Sequence, residues 1–152
     1  MMRFFLVAFL VSVLVFPALC QAEKLLVIVS KDTGVRALSL PQLARIYSRK
    51  VLIGADGVPW APLNLPANHP LRRAFSQAIF KRLPEDMENY WNIQYFKGIL
   101  PPYVVASEKA MRQYVASTPG AVGYIRPCHL GSGVKVVATL TFSSDLELAC
   151  QP

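Results

Sequence analysis

The densest collection of groups able to hold an anion lies between Asn64 and Arg73, in the stretch LNLPANHPLRR. Asn64, Asn68 and His69 offer neutral polar side chains. Arg72 and Arg73 add two guanidinium groups, whose planar forks match the oxygens of phosphate or sulfate. Asn68 or His69 can cap a helix, and Pro70 suits its first turn because the missing N–H would be unpaired there anyway. A helix start carries free N–H groups and a partial positive charge. The chemistry implied is the holding of an anion at that start. The plain alternative is an ordinary capped helix with a solvated basic face. Ser30 joins the candidates because the polar loop Ser30-Lys31-Asp32-Thr33-Gly34 follows an apolar strand, and loops at the carboxyl ends of strands in open α/β sheets commonly carry binding groups.

Other chemistries find little support. No carboxylate pair, metal-ligand spacing or nucleophile elbow is visible, so no catalytic residue, metal or cofactor is expected. Gly131-Ser132-Gly133 lacks the spacing of a phosphate loop. Cys128, His129 and Cys150 can be read as metal ligands, but no paired CxxC or HxxxH spacing accompanies them. A disulfide between Cys128 and Cys150 is the simpler reading for an exported chain. It closes a loop of about 20 residues and contributes roughly 3 kcal/mol if unstrained.

The elements that must position these groups follow from pattern. Leu25 to Val29 is an unbroken apolar run, which suits a strand buried on both faces. Ser39-Leu40-Pro41-Gln42 is a capping box opening a helix whose stripe is Leu40, Leu43, Ala44 and Tyr47, helped by Ile46, with Arg49 and Lys50 at its solvated end. Asp56-Gly57 marks a turn. Trp60 to Leu65 is a strand leading to the candidate loop. Leu71, Ala74, Phe75, Ala78 and Ile79 then share one helical face, with Arg72, Arg73, Gln77 and Lys81 off it. After the Leu83-Pro84 break, Met87, Tyr90, Trp91 and Tyr95 form an aromatic stripe read as core. Tyr103 to Ala106 is a short strand. Ser107 caps a helix with Glu108 in its first turn and Ala110, Met111, Tyr114 and Val115 facing inward. Ala121 to Ile125 and Val134 to Thr141 complete the strands. The order β-α-β-α-α-β-α-β-β implies an α/β sandwich with a mixed sheet.

Residues 1–22 read as a signal peptide: Arg3, then an apolar run from Phe4 to Phe16, then Pro17 and small residues up to Ala22. That run is shorter than the roughly 20 apolar residues of a spanning helix. Cys20 raises a lipoprotein reading, against which Leu19 stands directly before it. Removing 22 residues from 152 leaves 130, one domain over 23–152. The formal charge of +7 falls to +6 when Arg3 leaves. The expected compartment is the periplasm. There, nucleic acid is not an expected partner, and small anions or a negative surface are.

With the elements in order, the chain resembles the phosphate-binding subunits of ABC transporters, which are type II periplasmic binding proteins. Three pieces carry the resemblance: the opening strand with LSLPQLARIYSRK, the strand-loop-helix around Phe75, and TPGAVGYI from Thr118 to Ile125, close to the family's TPGAIGYV. The resemblance spans roughly Leu25 to Ile125 and implies a single α/β lobe, a mixed β-sheet flanked by helices. The family holds phosphate with an arginine and Ser-Gly-Thr at a helix start. Counting back from Phe75 puts His69-Pro70-Leu71 at that tripeptide and Leu65 at the arginine, so the side-chain donors are replaced and backbone N–H groups at Leu71 and Arg72 remain. Family members close two lobes on the ligand; this chain has material for one and resembles the second. Two functions follow as expectations. One is weak oxyanion binding by Ser30, Asn64, Asn68, His69, Leu71, Arg72 and Arg73, with a homodimer or another partner supplying the second wall. The other is a periplasmic interaction or regulatory module that has lost its ligand and partners a membrane transporter or sensor component.

Overall fold

The computed structural model describes residues 22–143. The run read as a buried strand becomes β1 (Ala22–Ser30). From Leu25 to Val29 it is almost wholly buried. It is interior to the sheet, antiparallel to both β4 (Ala121–Ile125) and β5 (Val134–Ser143). β4 pairs in parallel with β2 (Ala61–Asn64), and β2 in parallel with β3 (Tyr103–Val104). The five-stranded order is therefore β3-β2-β4-β1-β5 in a mixed sheet. A register shift interrupts β1 against β5 at Val27/Ile28, as a bulge does.

Four α-helices complete the order expected from pattern: α1 (Leu40–Tyr47), α2 (Pro70–Phe80), α3 (Glu88–Phe96) and α4 (Glu108–Ser117). The capping box of α1 is formed, Ser39 N–H donating to Gln42 Oε1 at 2.8 Å while the Gln42 amide reaches Ser39 Oγ. Its buried residues are Leu43, Ile46 and Tyr47, whereas Leu40 is exposed. Arg49 is not simply solvated: in a left-handed conformation, it donates from Nη1 to the Trp60 carbonyl at 3.0 Å. The cores of α1 and α2 meet through Tyr47, Phe75 and Tyr124. Phe75 stacks on Tyr124 with centroids 4.0 Å apart, and Tyr47 meets Phe75 edge-on at 4.7 Å. Met111 and Val115 of α4 press on Gly123, where a Cβ would come within 2.6 Å of Met111. Glycine is what lets that helix seat. Gly120 has φ +75° and leaves no room beside the Pro59 carbonyl, so the Pro119-Gly120 turn also demands glycine.

The expected core is corrected at two further places: Tyr114 of α4, read as facing inward, is exposed, and so is most of α3. Of the aromatic stripe, Met87 is buried, but α3 itself buries no residue. Tyr95 is 65% exposed and Phe96 90%. Tyr90 is tied down by its hydroxyl, which donates to the Ser48 carbonyl at 2.7 Å. Helical spacing identifies a stripe, but an element's position in the fold decides whether anything covers it. No helix of the described residues is long and apolar enough to cross a membrane.

Candidate functional site

Two helix starts converge where β2 and β4 end. The parallel register, Ala61 with Ala121 and Pro62 with Val122, brings Asn64 alongside Tyr124. The Tyr124 hydroxyl donates to Asn64 Oδ1 at 3.2 Å and accepts the Leu65 amide at 3.1 Å. The Asn64 carbonyl accepts from Val105 at 2.8 Å. Burial pushes the phenols of Tyr47 and Tyr124 above their ordinary range, so both stay neutral.

At the start of α2 the cap is His69, and Asn68 beside it is exposed. His69 Nδ1 accepts the Leu71 amide at 3.2 Å, and its carbonyl accepts the Arg73 amide at 3.1 Å. Leu71, expected to offer its N–H to a ligand, thus gives it to the cap, and its side chain is fully buried. The bond requires an unprotonated Nδ1. Burial favours that state by lowering the His69 pKa; Glu108 opposes the shift and Arg126 adds to it.

The two arginines part company. Arg73 forms a two-pronged ion pair with Glu85, both bonds 2.9 Å, on the surface. The bond from Arg73 lowers the Glu85 pKa. Arg72 turns inward toward the Tyr47 and Tyr124 side. Its Nε and Nη1 are buried without a hydrogen-bond partner among the described residues. Burial lowers its pKa, and the two tyrosines oppose this, yet a guanidinium stays charged at any physiological pH. Buried, unpartnered donors on a permanent cation are costly and are rare in folded proteins.

The start of α4 is built differently. Ser107 caps it, its Oγ accepting the Ala110 amide at 3.1 Å. Glu108, the first helical residue, is only 3% exposed. Its carboxylate takes the Arg126 amide at 2.7 Å and Arg126 Nε at 2.8 Å, and Arg126 Nη2 lies 2.7 Å from Oε1. His129 Nε2 stands 3.4 Å from Arg126 Nη2, and its carbonyl accepts from Arg112 at 3.3 Å. The parallel pairing of β2 with β3 and the Val105–Asn64 bond bring the loops before α2 and α4 to the same end of the sheet, so this cluster lies by the α2 start. Tyr124 and Arg126 were not assigned a role from the sequence, Glu108 was read only as a first-turn residue, and His129 only as a possible metal ligand. The signal available was a glutamate directly after a capping serine, which also fits any ordinary helix start.

Asn64, His69, Leu71 and Arg72 are therefore gathered at one end of the sheet, with Asn68 at the rim. Ser30 is not with them. It ends β1, which runs opposite to β2 and β4, and lies roughly 13 Å along the strand from the Leu26–Ile125 pair at about 3.3 Å per residue. There it borders a concavity of about 280 Å³ shared with Asp32 and Asp56, two carboxylates ill suited to an anion. The carboxyl-end rule pointed to the opposite end of the sheet from the α2 start, because β1 is antiparallel. Cys128 is not a free thiol, and Cys150 lies outside the described residues, as do Cys20 and residues 1–21. Among the described residues, no group of three or more His, Cys, Asp or Glu side chains is placed to hold a metal ion.

No family model matches the chain, and no curated protein sequence matches it. Solved structures do. A protein assigned as a phosphate ABC transporter substrate-binding protein, with bound phosphate, from Clostridium perfringens superposes with a TM-score of 0.63 at 18% identity, over 76% of this chain and 44% of that one. An ABC-type phosphate transport receptor from Vibrio cholerae gives 0.62 at 19%, over 76% and 46%. PstS from Borrelia burgdorferi gives 0.57 at 15%, over 77% and 48%. The chain thus shares their α/β fold and spans less than half of their length.

Proposed function

We propose that this chain is an exported, one-lobe solute-binding protein that takes an inorganic oxyanion, phosphate or sulfate, at the start of α2. The observation that carries this reading is the Arg72 guanidinium, two of whose nitrogens are buried without a partner among the described residues, on the side of Tyr47 and of Tyr124, which itself bonds Asn64. An anion reaching Arg72 would supply the missing acceptors at a helix start whose dipole favours negative charge. The fold shared with phosphate-binding proteins supports the same reading. Export through residues 1–22, a periplasmic location and a Cys128–Cys150 bridge belong to it, because an oxidising compartment preserves such a bridge. With one wall only, binding is weak and falls as salt rises.

Calorimetric titration with phosphate, sulfate and chloride tests this. Phosphate or sulfate should bind, and Arg72→Gln should remove binding at roughly 1.5–3 kcal/mol for each charged hydrogen bond made. Arg73→Gln should bind as the parent does, because Arg73 is committed to Glu85. No binding at millimolar anion, or equal binding by the Arg72 variant, defeats the reading. A second reading, an interaction or regulatory module without a ligand, is favoured by the exposed Tyr95 and Phe96 and by the internal Glu108–Arg126 pair. It takes over if calorimetry is silent.

A further inference from the structure

A face distant from that site carries cations the protein does not neutralise. Arg45, on the exposed side of α1, separates two concavities. The first, about 310 Å³, brings Arg45, Lys50 and Arg82 round Phe80, Met87 and Tyr90. The second, about 400 Å³, is walled by Leu38, Ile46, Val51, Ile53 and Trp60, with Arg36 also lining it. Neither is lined by Asn64, His69, Arg72 or Glu108. The side chains of Arg36, Arg45, Lys50 and Arg82 make no ion pair among the described residues. Of the carboxylates on neighbouring segments, Asp56 bonds the Val58 amide, Glu85 pairs with Arg73 and Asp86 bonds the Leu83 amide, while Glu88 makes no ion pair with these cations among the described residues. Arg45 matches the negative end of α1. That duty does not account for Lys50 and, from a separate segment, Arg82 meeting Arg45 at one hollow, nor for the apolar hollow beside it.

We infer that this face docks an acidic segment of a partner protein, its carboxylates over Arg45, Lys50 and Arg82 and an apolar side chain in the hollow beside Trp60. Charge complementarity selects the occupant. Two hollows divided by a ridge suit separate side chains, whereas an anionic bilayer is met by a flat basic face with apolar residues projecting from it. The inference does not rest on oxyanion binding.

The probe is a short synthetic peptide with glutamates flanking a central Leu-Phe pair, beside the same peptide with glutamine for glutamate. Amide NMR shifts on the full mature chain locate binding, and fluorescence anisotropy measures it. The glutamate peptide should bind at least about tenfold tighter than its twin, weaken with salt, and shift amides around Ala37, Arg45, Val51 and Trp60. Joint Arg45→Glu, Lys50→Glu and Arg82→Glu changes should cost at least about tenfold in affinity. Ile53→Asp, at an exposed position, should weaken binding without unfolding the chain, so it decides the matter if the charge-reversed variant misfolds. Arg72→Gln should leave peptide affinity unchanged. Equal binding of both peptides, shifts confined to another face, or unchanged affinity in the variants overturns the inference. So does binding of vesicles rich in anionic lipid when the glutamate peptide does not bind.

Discussion

The starts of α2 and α4 lie side by side at one end of the sheet, and the protein treats them in opposite ways. At α4, a serine caps the helix and a buried glutamate serves as a built-in anion, neutralising both the helix start and Arg126. At α2, the cap is a histidine accepting through Nδ1, and two buried nitrogens of Arg72 have no partner among the described residues. One start is closed by its own carboxylate and the other is open. The difference teaches that positive charge at a helix start says little about ligands until its internal acceptors have been counted.

Removing the built-in anion breaks the comparison most severely. Glu108→Ala leaves Arg126 largely buried without its partner and should cost about 3–5 kcal/mol in urea unfolding. It also turns α4 into a second open start, so added sulfate should restore part of the loss in this variant and less in the parent. Insensitivity to sulfate would mean that Glu108 acts by packing alone.

The open start predicts the opposite sign. Arg72→Met deletes an unpaired buried cation while keeping an apolar stem, and should stabilise the anion-free protein by roughly 1–3 kcal/mol while abolishing phosphate binding. A destabilised variant in phosphate-free buffer would show that Arg72 is satisfied as it stands.

A smaller effect follows from the histidine cap. The folded chain resists protonating His69, whereas the unfolded chain takes up the proton at the ordinary value of about 6.5. Stability from this group is therefore complete above that pH and is lost as pH falls through the depressed folded value. Urea midpoints between neutral and mildly acidic pH should decline, and His69→Asn, which still caps but does not titrate, should flatten that slope. An unchanged slope would assign the dependence to groups other than His69.

Smallest is Arg73→Ala. Its pair with Glu85 is exposed and screened by water and salt, so thermal unfolding should move little, in contrast to its neighbour in sequence.

Much of the frame was legible because it depends on local rules. The LLVIV run had no polar residue to place outward, so it had to be an interior strand, whichever way its neighbours ran. Ser39 and Gln42 sit three apart, the spacing a capping box needs, and they form one. Gly120 and Gly123 marked a turn and a close approach, and both are crowded on their missing side-chain faces. The aromatic stripe of α3 was misread because burial depends on what lies opposite, and here little does.

The sequence by itself determined the order of elements, the strand-loop-helix at Pro70 and the presence of two arginines in its first turn. Each depends on periodicity, turn chemistry or capping within a few residues. Only the tertiary structure decided which of the candidate groups lie together. Antiparallel pairing carried Ser30 to the far end of the sheet. Residues 12 and 18 positions apart came together, so that Glu85 claimed Arg73 and Glu108 claimed Arg126. Arg72 was left buried without such a partner. Charge depends on residue type, but whether a charge is free depends on which carboxylates the chain folds against it, and that is a property of long-range contacts alone.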